Sequence, residues 1–149
     1  MGQFKDRVEL RALAETYSTG VTLRDARMIA SVFTDDAEWC VLPPLAVSFS
    51  GATAIGDGIA GGLMEYENLV QMLHSAHIEL DGDRARMTCI LQELGRRVDG
   101  TMSLALTGLY RDEAIRTRAG WRFARRTFHP LFLDSRPVEG QMFPLVLGE

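Results

Sequence analysis

The chain has 149 residues, 46% of them hydrophobic and 24% charged, and a formal net charge of −4 at pH 7. A single domain of that size buries roughly 70% of its unfolded surface, enough for a full core. The acidic balance argues against nucleic acid as a partner, since phosphate binding needs a concentrated basic face.

No signal peptide and no apolar run of about eighteen residues is present, so neither export nor membrane insertion is expected and the cytoplasm is the default location. Cys40 and Cys89 lie in apolar segments without CxxC or Cys/His spacing. They read as reduced core thiols, and no zinc site is expected.

Phe4–Gly20 reads as an amphipathic helix. Leu10, Leu13, Ala14, Tyr17 and Val21 recur at helical spacing, largely opposite Lys5, Asp6, Arg7, Arg11 and Glu15. Gly20 is expected to end it. Thr22 is then expected to cap a second helix, with Asp25 completing a capping box and Ala26, Ile29, Ala30 and Phe33 as its buried stripe. Thr34-Asp35-Asp36 breaks that helix, and Ala37–Leu42 follows as a short strand closed by Pro43-Pro44. Val47–Phe49 is a second short strand.

Gly51 opens a third helix reaching about Met64, weakened by Gly56, Gly58, Gly61 and Gly62. No strand runs into those glycines and no phosphate-loop spacing is present. They predict close approach to a neighbour or a ligand.

Four long strands complete the chain. Val70–Leu80 and Arg84–Leu94 are joined at Asp81-Gly82-Asp83, and Thr101–Ile115 and Gly120–His129 at Arg118-Ala119-Gly120. Alternation puts Met102, Leu104, Leu106, Gly108 and Tyr110 on one face of the third. In the fourth it sets Trp121, Phe123, Arg125, Thr127 and His129 against Arg122, Ala124, Arg126 and Phe128. The basic runs Arg96-Arg97 and Arg116–Arg126 read as a solvated sheet edge. The apolar tail Leu131–Glu149 is expected to pack on a partner subunit or over a pocket mouth.

The order of these elements, over roughly residues 8 to 130, resembles the SnoaL-like branch of the nuclear transport factor 2-like superfamily. The pieces that carry the resemblance are Glu15-Thr16-Tyr17, Val32 to Trp39, Phe49-x-Gly51 with Ile55, Ile78 to Ala85, Gly108-x-Tyr110-x-Asp112, and Gly120-Trp121-Arg122-Phe123. The resemblance implies one α+β domain spanning 1–149. Three helices and a strongly curved antiparallel sheet would form a cone around the long N-terminal helix, with an apolar pocket inside. Members of the family typically work without metal or organic cofactor, and no cofactor is expected.

Set against the family's chemistry, Tyr17 matches a helix-one tyrosine that donates a hydrogen bond into the pocket; the alternative is a core aromatic. The position of the isomerases' first-strand aspartate is Val41. The position of the dehydratases' and dehydrochlorinases' histidine is Gln71, and that of its orienting aspartate is Thr22 or Asp25. His74, on the same strand and sharing a face with Met72, Ala76 and Ile78, is the substitute histidine.

The expected catalytic residues are therefore Tyr17 and His74. Trp39, Val41, Gln71, Met72, Leu91, Leu106, Arg125, Phe128 and His129 are the expected binding residues. Arg125 and Glu93, on adjacent long strands, would pair with each other or bind a polar end of a ligand.

The expectation is an acid/base enzyme, a lyase or isomerase, acting on a small hydrophobic cyclic or aromatic molecule. The rival is a non-catalytic binder or assembly protein of the same fold, favoured by Val41 and Gln71. A third reading is the structural small subunit of a ring dioxygenase. Apolar residues on the outer sheet face and in the tail predict a homo-oligomer, a dimer before a trimer.

Overall fold

The computed structural model of the chain describes residues 2–145. Helix α1 (Gly2–Leu23) leads into a short α2 (Ala26–Ala30), strands β1 (Phe33–Val41) and β2 (Val47–Ser50), and helix α3 (Ala52–Leu63). Strands β3 (Tyr66–Asp81), β4 (Arg84–Arg97), β5 (Ser103–Thr117) and β6 (Gly120–Asp134) follow. The sheet order is β2-β1-β6-β5-β4-β3. All neighbours are antiparallel except β1 and β6, which run parallel. This is the α+β fold expected, with the long N-terminal helix on one face of a sheet that stays open. Among the described residues no helix is long and apolar enough to cross a membrane.

Gly20 does not end α1. A Cβ there would lie 3.0 Å from Ile29 Cγ1, so the glycine lets α2 fold back closely while α1 runs three residues further. Asp25 is itself the N-cap of α2, accepting the Met28 N–H at 2.9 Å. Thr22 stays inside α1, where its Oγ1 accepts the Gln71 N–H at 3.0 Å. Asp35 and Asp36, expected to break a helix, instead lie in β1 with their side chains exposed. Gly56 serves a second close approach, since a Cβ there would sit 2.3 Å from the Ala26 carbonyl of α2.

Three of the four irregularities in the pairing of the long strands bear on which side chains face inward. Between Leu73 and Ala76, two residues of β3 face the stretch of β4 where one is expected. In β6, Ala124 is an extra residue opposite the Glu113–Ala114 step of β5, and Leu131 is another near Pro130. Each extra residue reverses the inside–outside alternation beyond it. Beyond the last of these, Leu131, Phe132 and Leu133 are part of β6 and not of a tail.

Candidate functional site

The inner face of the sheet, α1 and α3 enclose a cavity of about 310 Å3. Its walls are apolar: Val21, Ile59, Leu63 and Leu69 come from α1, α3 and β3, and Val41, Phe49, Leu106 and Phe128 from β1, β2, β5 and β6. The polar groups are few, as in ligand pockets generally. They are Tyr17 from α1, Trp39 from β1, Tyr66 and Gln71 from β3, Glu93 from β4 and Tyr110 from β5.

Three of these meet in one cluster. The Tyr17 and Tyr110 hydroxyl oxygens are 2.9 Å apart. The Trp39 indole N–H donates to both, at 2.9 and 3.0 Å. Either tyrosine can donate to the other, but only one of the two hydroxyl hydrogens is used that way. One phenol hydrogen is left over. Burial raises both phenols, Tyr17 to about 12 and Tyr110 well above its ordinary value, so that hydrogen stays in place at neutral pH.

The second polar group is a carboxyl. Glu93 accepts from the Gln71 side-chain amide, and the Ser18 hydroxyl donates to Gln71 Oε1 at 2.9 Å. Burial pushes Glu93 above the usual carboxylate range, and the Gln71 hydrogen bond only partly offsets it. Among the lining residues Glu93 is the only carboxylate.

Behind the tyrosines lies a buried ion pair. Arg126 and Asp112 are bidentate at 2.9 and 3.1 Å, and both side chains are within 1% of complete burial. The guanidinium carbon sits 4.3 Å from the Tyr17 ring centroid, 3.9 Å from that of Tyr110 and 4.2 Å from that of Phe123. It does not line the cavity. It backs the two rings that do.

Tyr17, Trp39, Val41, Gln71, Leu106 and Phe128 all line the cavity. Leu91 is buried but lies in the core instead. His74 is corrected. It lies on the exposed face, where its Nε2 meets Gln92 Oε1 at 2.8 Å, because the irregularity between Leu73 and Ala76 takes Ala76 and Ile78, expected to share its face, to the other side. Met72, 39% exposed, shares that outer face. Arg125 and His129 are corrected as well, because the extra residue at Ala124 reverses the strand and brings Arg126 and Phe128 inward in their place. Arg125 pairs with Glu38 at 2.6 Å on the outer side, not with Glu93.

Glu93, expected to pair with Arg125 or to bind a polar end of a ligand, lines the cavity without Arg125, whereas Tyr110, which also lines it, and Arg126, which lies behind it, were not among the expected site residues. Asp112 offered the one usable signal: a charged residue in register with Leu106 and Tyr110 on an inward face requires a buried partner.

With this geometry in hand, comparison with known proteins gives the family. The SnoaL-like domain model matches residues 3–127, and the chain belongs to that family. Its structural neighbours are nuclear transport factor 2-like proteins. Hexachlorocyclohexane dehydrochlorinase LinA-type3 from Novosphingobium barchaimii superposes with a TM-score of 0.83 at 19% identity, covering 95% of this chain and 97% of that one. A provisionally assigned scytalone dehydratase from Novosphingobium aromaticivorans gives 0.80 at 16%, covering 99% and 97%. An NTF2-like protein with a cystatin-like fold from the same species gives 0.74 at 28%, covering 87% and 84%. At the first two identities the likeness concerns the fold alone. No curated protein matches the sequence.

Proposed function

We propose that the protein is a proton-transfer enzyme acting on a small, apolar, cyclic or aromatic molecule that carries one oxygen function. One observation supports this above the rest. A carboxyl raised by burial and a spare phenol hydrogen belong to residues lining the same apolar cavity.

In this reading the ionised Glu93 takes a proton from the carbon next to a carbonyl, and the electron pair moves onto the carbonyl oxygen. The Tyr17–Tyr110 pair, its oxygens fixed by Trp39, donates its spare hydrogen to that oxygen as charge develops. The enolate then collapses in one of two ways. Reprotonation at another carbon by Glu93 gives an isomerisation. Expulsion of a leaving group gives an elimination, the chemistry named for the dehydrochlorinase and dehydratase neighbours. Hydration is the elimination run backwards.

The test needs no knowledge of the natural substrate. Deuterium wash-in at the α-carbon of a cyclic ketone such as 2-tetralone, followed by NMR, reports proton abstraction directly. Exchange should be accelerated by the wild type and fall by about 10²–10⁴-fold in Glu93→Gln. Exchange equal in the two proteins would sink the role of Glu93.

A second reading, a non-catalytic binder, draws support from the solvent-facing His74, which leaves no histidine among the cavity-lining residues. It expects ketone binding with no exchange and an affinity nearly independent of pH.

A further inference from the structure

The Arg126–Asp112 pair takes no part in the proposed proton transfer, yet it is placed at considerable cost. Both groups are removed from water, and among the described residues no acceptor reaches Arg126 Nη1. Burying an ion pair this fully is often no better for stability than packing apolar side chains of similar volume. Stability alone therefore gives little reason for a guanidinium at this point. Its position supplies one.

The cation lies against two phenol rings whose hydroxyls meet at 2.9 Å, and those rings separate it from the cavity. Asp112 stands on β5 two residues from Tyr110, and Arg126 on β6 two residues from the wall residue Phe128. The extra residue at Ala124 is what turns Arg126 inward. Without it the outward-facing, solvated Arg125 would have taken that place.

We infer that Arg126 is a positioning residue for the tyrosine pair, its fixed positive charge strengthening the pair's hold on an anionic oxygen, so that phenolates and enolates are the ligand class of this cavity. The inference rests on the proposed oxygen-binding role of Tyr17 and Tyr110 and adds the source of its preference for charge. Several facts agree with it. Arginine does not give up its proton in proteins, so the charge is permanent. Although burial works against that charge, the Asp112 carboxylate together with Tyr110 and Cys89 more than compensates. Against the dominant effect of burial, the same guanidinium favours the ionised form of both phenols. A charge a few ångströms away in a dry setting acts far more strongly than it would in water. Asp112 is the counterweight, limiting how much of the field reaches the hydroxyls.

The test uses the full chain with 4-nitrophenol as probe and nitrobenzene as its neutral match in size. Glu93→Gln serves as the background, which removes the only carboxylate among the residues lining the cavity. The ionised fraction of bound 4-nitrophenol is read by absorbance across pH. In Asp112→Asn the cation is left without its counterweight, and phenolate affinity should rise. In Asp112→Leu/Arg126→Met, which replaces the pair with apolar side chains, it should fall by about tenfold or more. Nitrobenzene should bind all three proteins alike.

Opposite signs in the two variants are something a merely structural role would not produce. If phenolate and nitrobenzene weaken together, or neither variant changes the ionised fraction, Arg126 has no such role and the tyrosine pair stands alone. If 4-nitrophenol fails to bind in the cavity at all, the oxygen site and this inference fall together. Should the double variant not fold, Asp112→Asn decides by itself, tighter phenolate binding supporting the inference and unchanged or weaker binding overturning it.

Discussion

Ser18 donates to Gln71 Oε1 at 2.9 Å, and this contact fixes which end of the Gln71 amide faces the cavity. With its oxygen occupied by Ser18, Gln71 turns its NH2 group to Glu93. One carboxylate oxygen of Glu93 is thereby held, and the other remains available to a ligand. Ser18→Ala should loosen this arrangement without removing any group from the cavity. The expected result is a lower rate of ketone exchange with little change in KM, and a Glu93 titration shifted upward as the Gln71 hydrogen bond weakens. NMR-detected exchange rates over a pH series would check both.

The pH dependence of Glu93 has a definite sign. Burial raises its carboxyl above the ordinary 4.5, so the folded chain holds the proton more tightly than the unfolded chain. The stability this contributes is complete below 4.5 and is lost as pH rises through the raised folded value. Proton abstraction, which needs the carboxylate, should rise over the same interval and then level off. Urea unfolding of Glu93→Gln should lack that pH dependence and give a more stable protein than wild type at neutral pH.

His74→Ala is expected to leave both exchange and ligand binding unchanged. The imidazole lies on the exposed face against Gln92, across the sheet from the cavity. A fall in turnover without a fall in stability would return the histidine to the site.

Gly108 lies where β5 meets the wall residue Phe128. A Cβ there would be 2.3 Å from Phe128 Cζ and 2.6 Å from the His129 carbonyl, so a ring and a backbone group would both have to move. Gly108→Ala should cost about 1–3 kcal/mol in urea unfolding, the usual range for overpacking. Because Phe128 also lines the cavity, 4-nitrophenol should bind more weakly as well.

Near the start of α1, Asp6 holds the helix to the β5–β6 hairpin. Its carboxylate accepts from Arg116 at 2.8 Å and from the Trp121 indole at 3.1 Å. These hydrogen bonds hold Asp6 below its ordinary 3.8. The docking they provide is present above that value and is lost as pH falls through the lower folded one. Trp121 fluorescence should therefore change in acid in wild type, and the change should be absent in Asp6→Asn.

The sequence made the fold legible because its signals were local and mutually consistent. The stripe from Leu10 to Val21, the Asp81-Gly82-Asp83 turn and the alternation from Leu104 to Tyr110 each mark an element with its correct inner face. The site was legible only up to the first irregular residue. Beyond Leu73 and beyond Ala124 the alternation reverses, and with it the assignments of His74, Arg125 and Arg126. Pairing register depends on the neighbouring strand, so a single strand's pattern does not announce where an extra residue will be accommodated. The boundary of α1 was missed for a related reason. Gly20 looks like a stop until Ile29 is seen packed against it.

The parallel pairing of β1 with β6 has a consequence for how the protein is made. Phe33 is matched with Phe123 and Val41 with Phe128, so the hydrogen bonds on the β6 side of β1 wait on a strand some ninety residues downstream, while those to β2 are local. Contacts of such long range form slowly. On the ribosome, Trp39 and Val41 emerge early and stay without their β6 neighbour until Gly120–Asp134 has left the exit tunnel. The cavity is thus among the last parts of the molecule to take shape, and a nascent chain paused before that point carries an unpaired strand edge open to other chains.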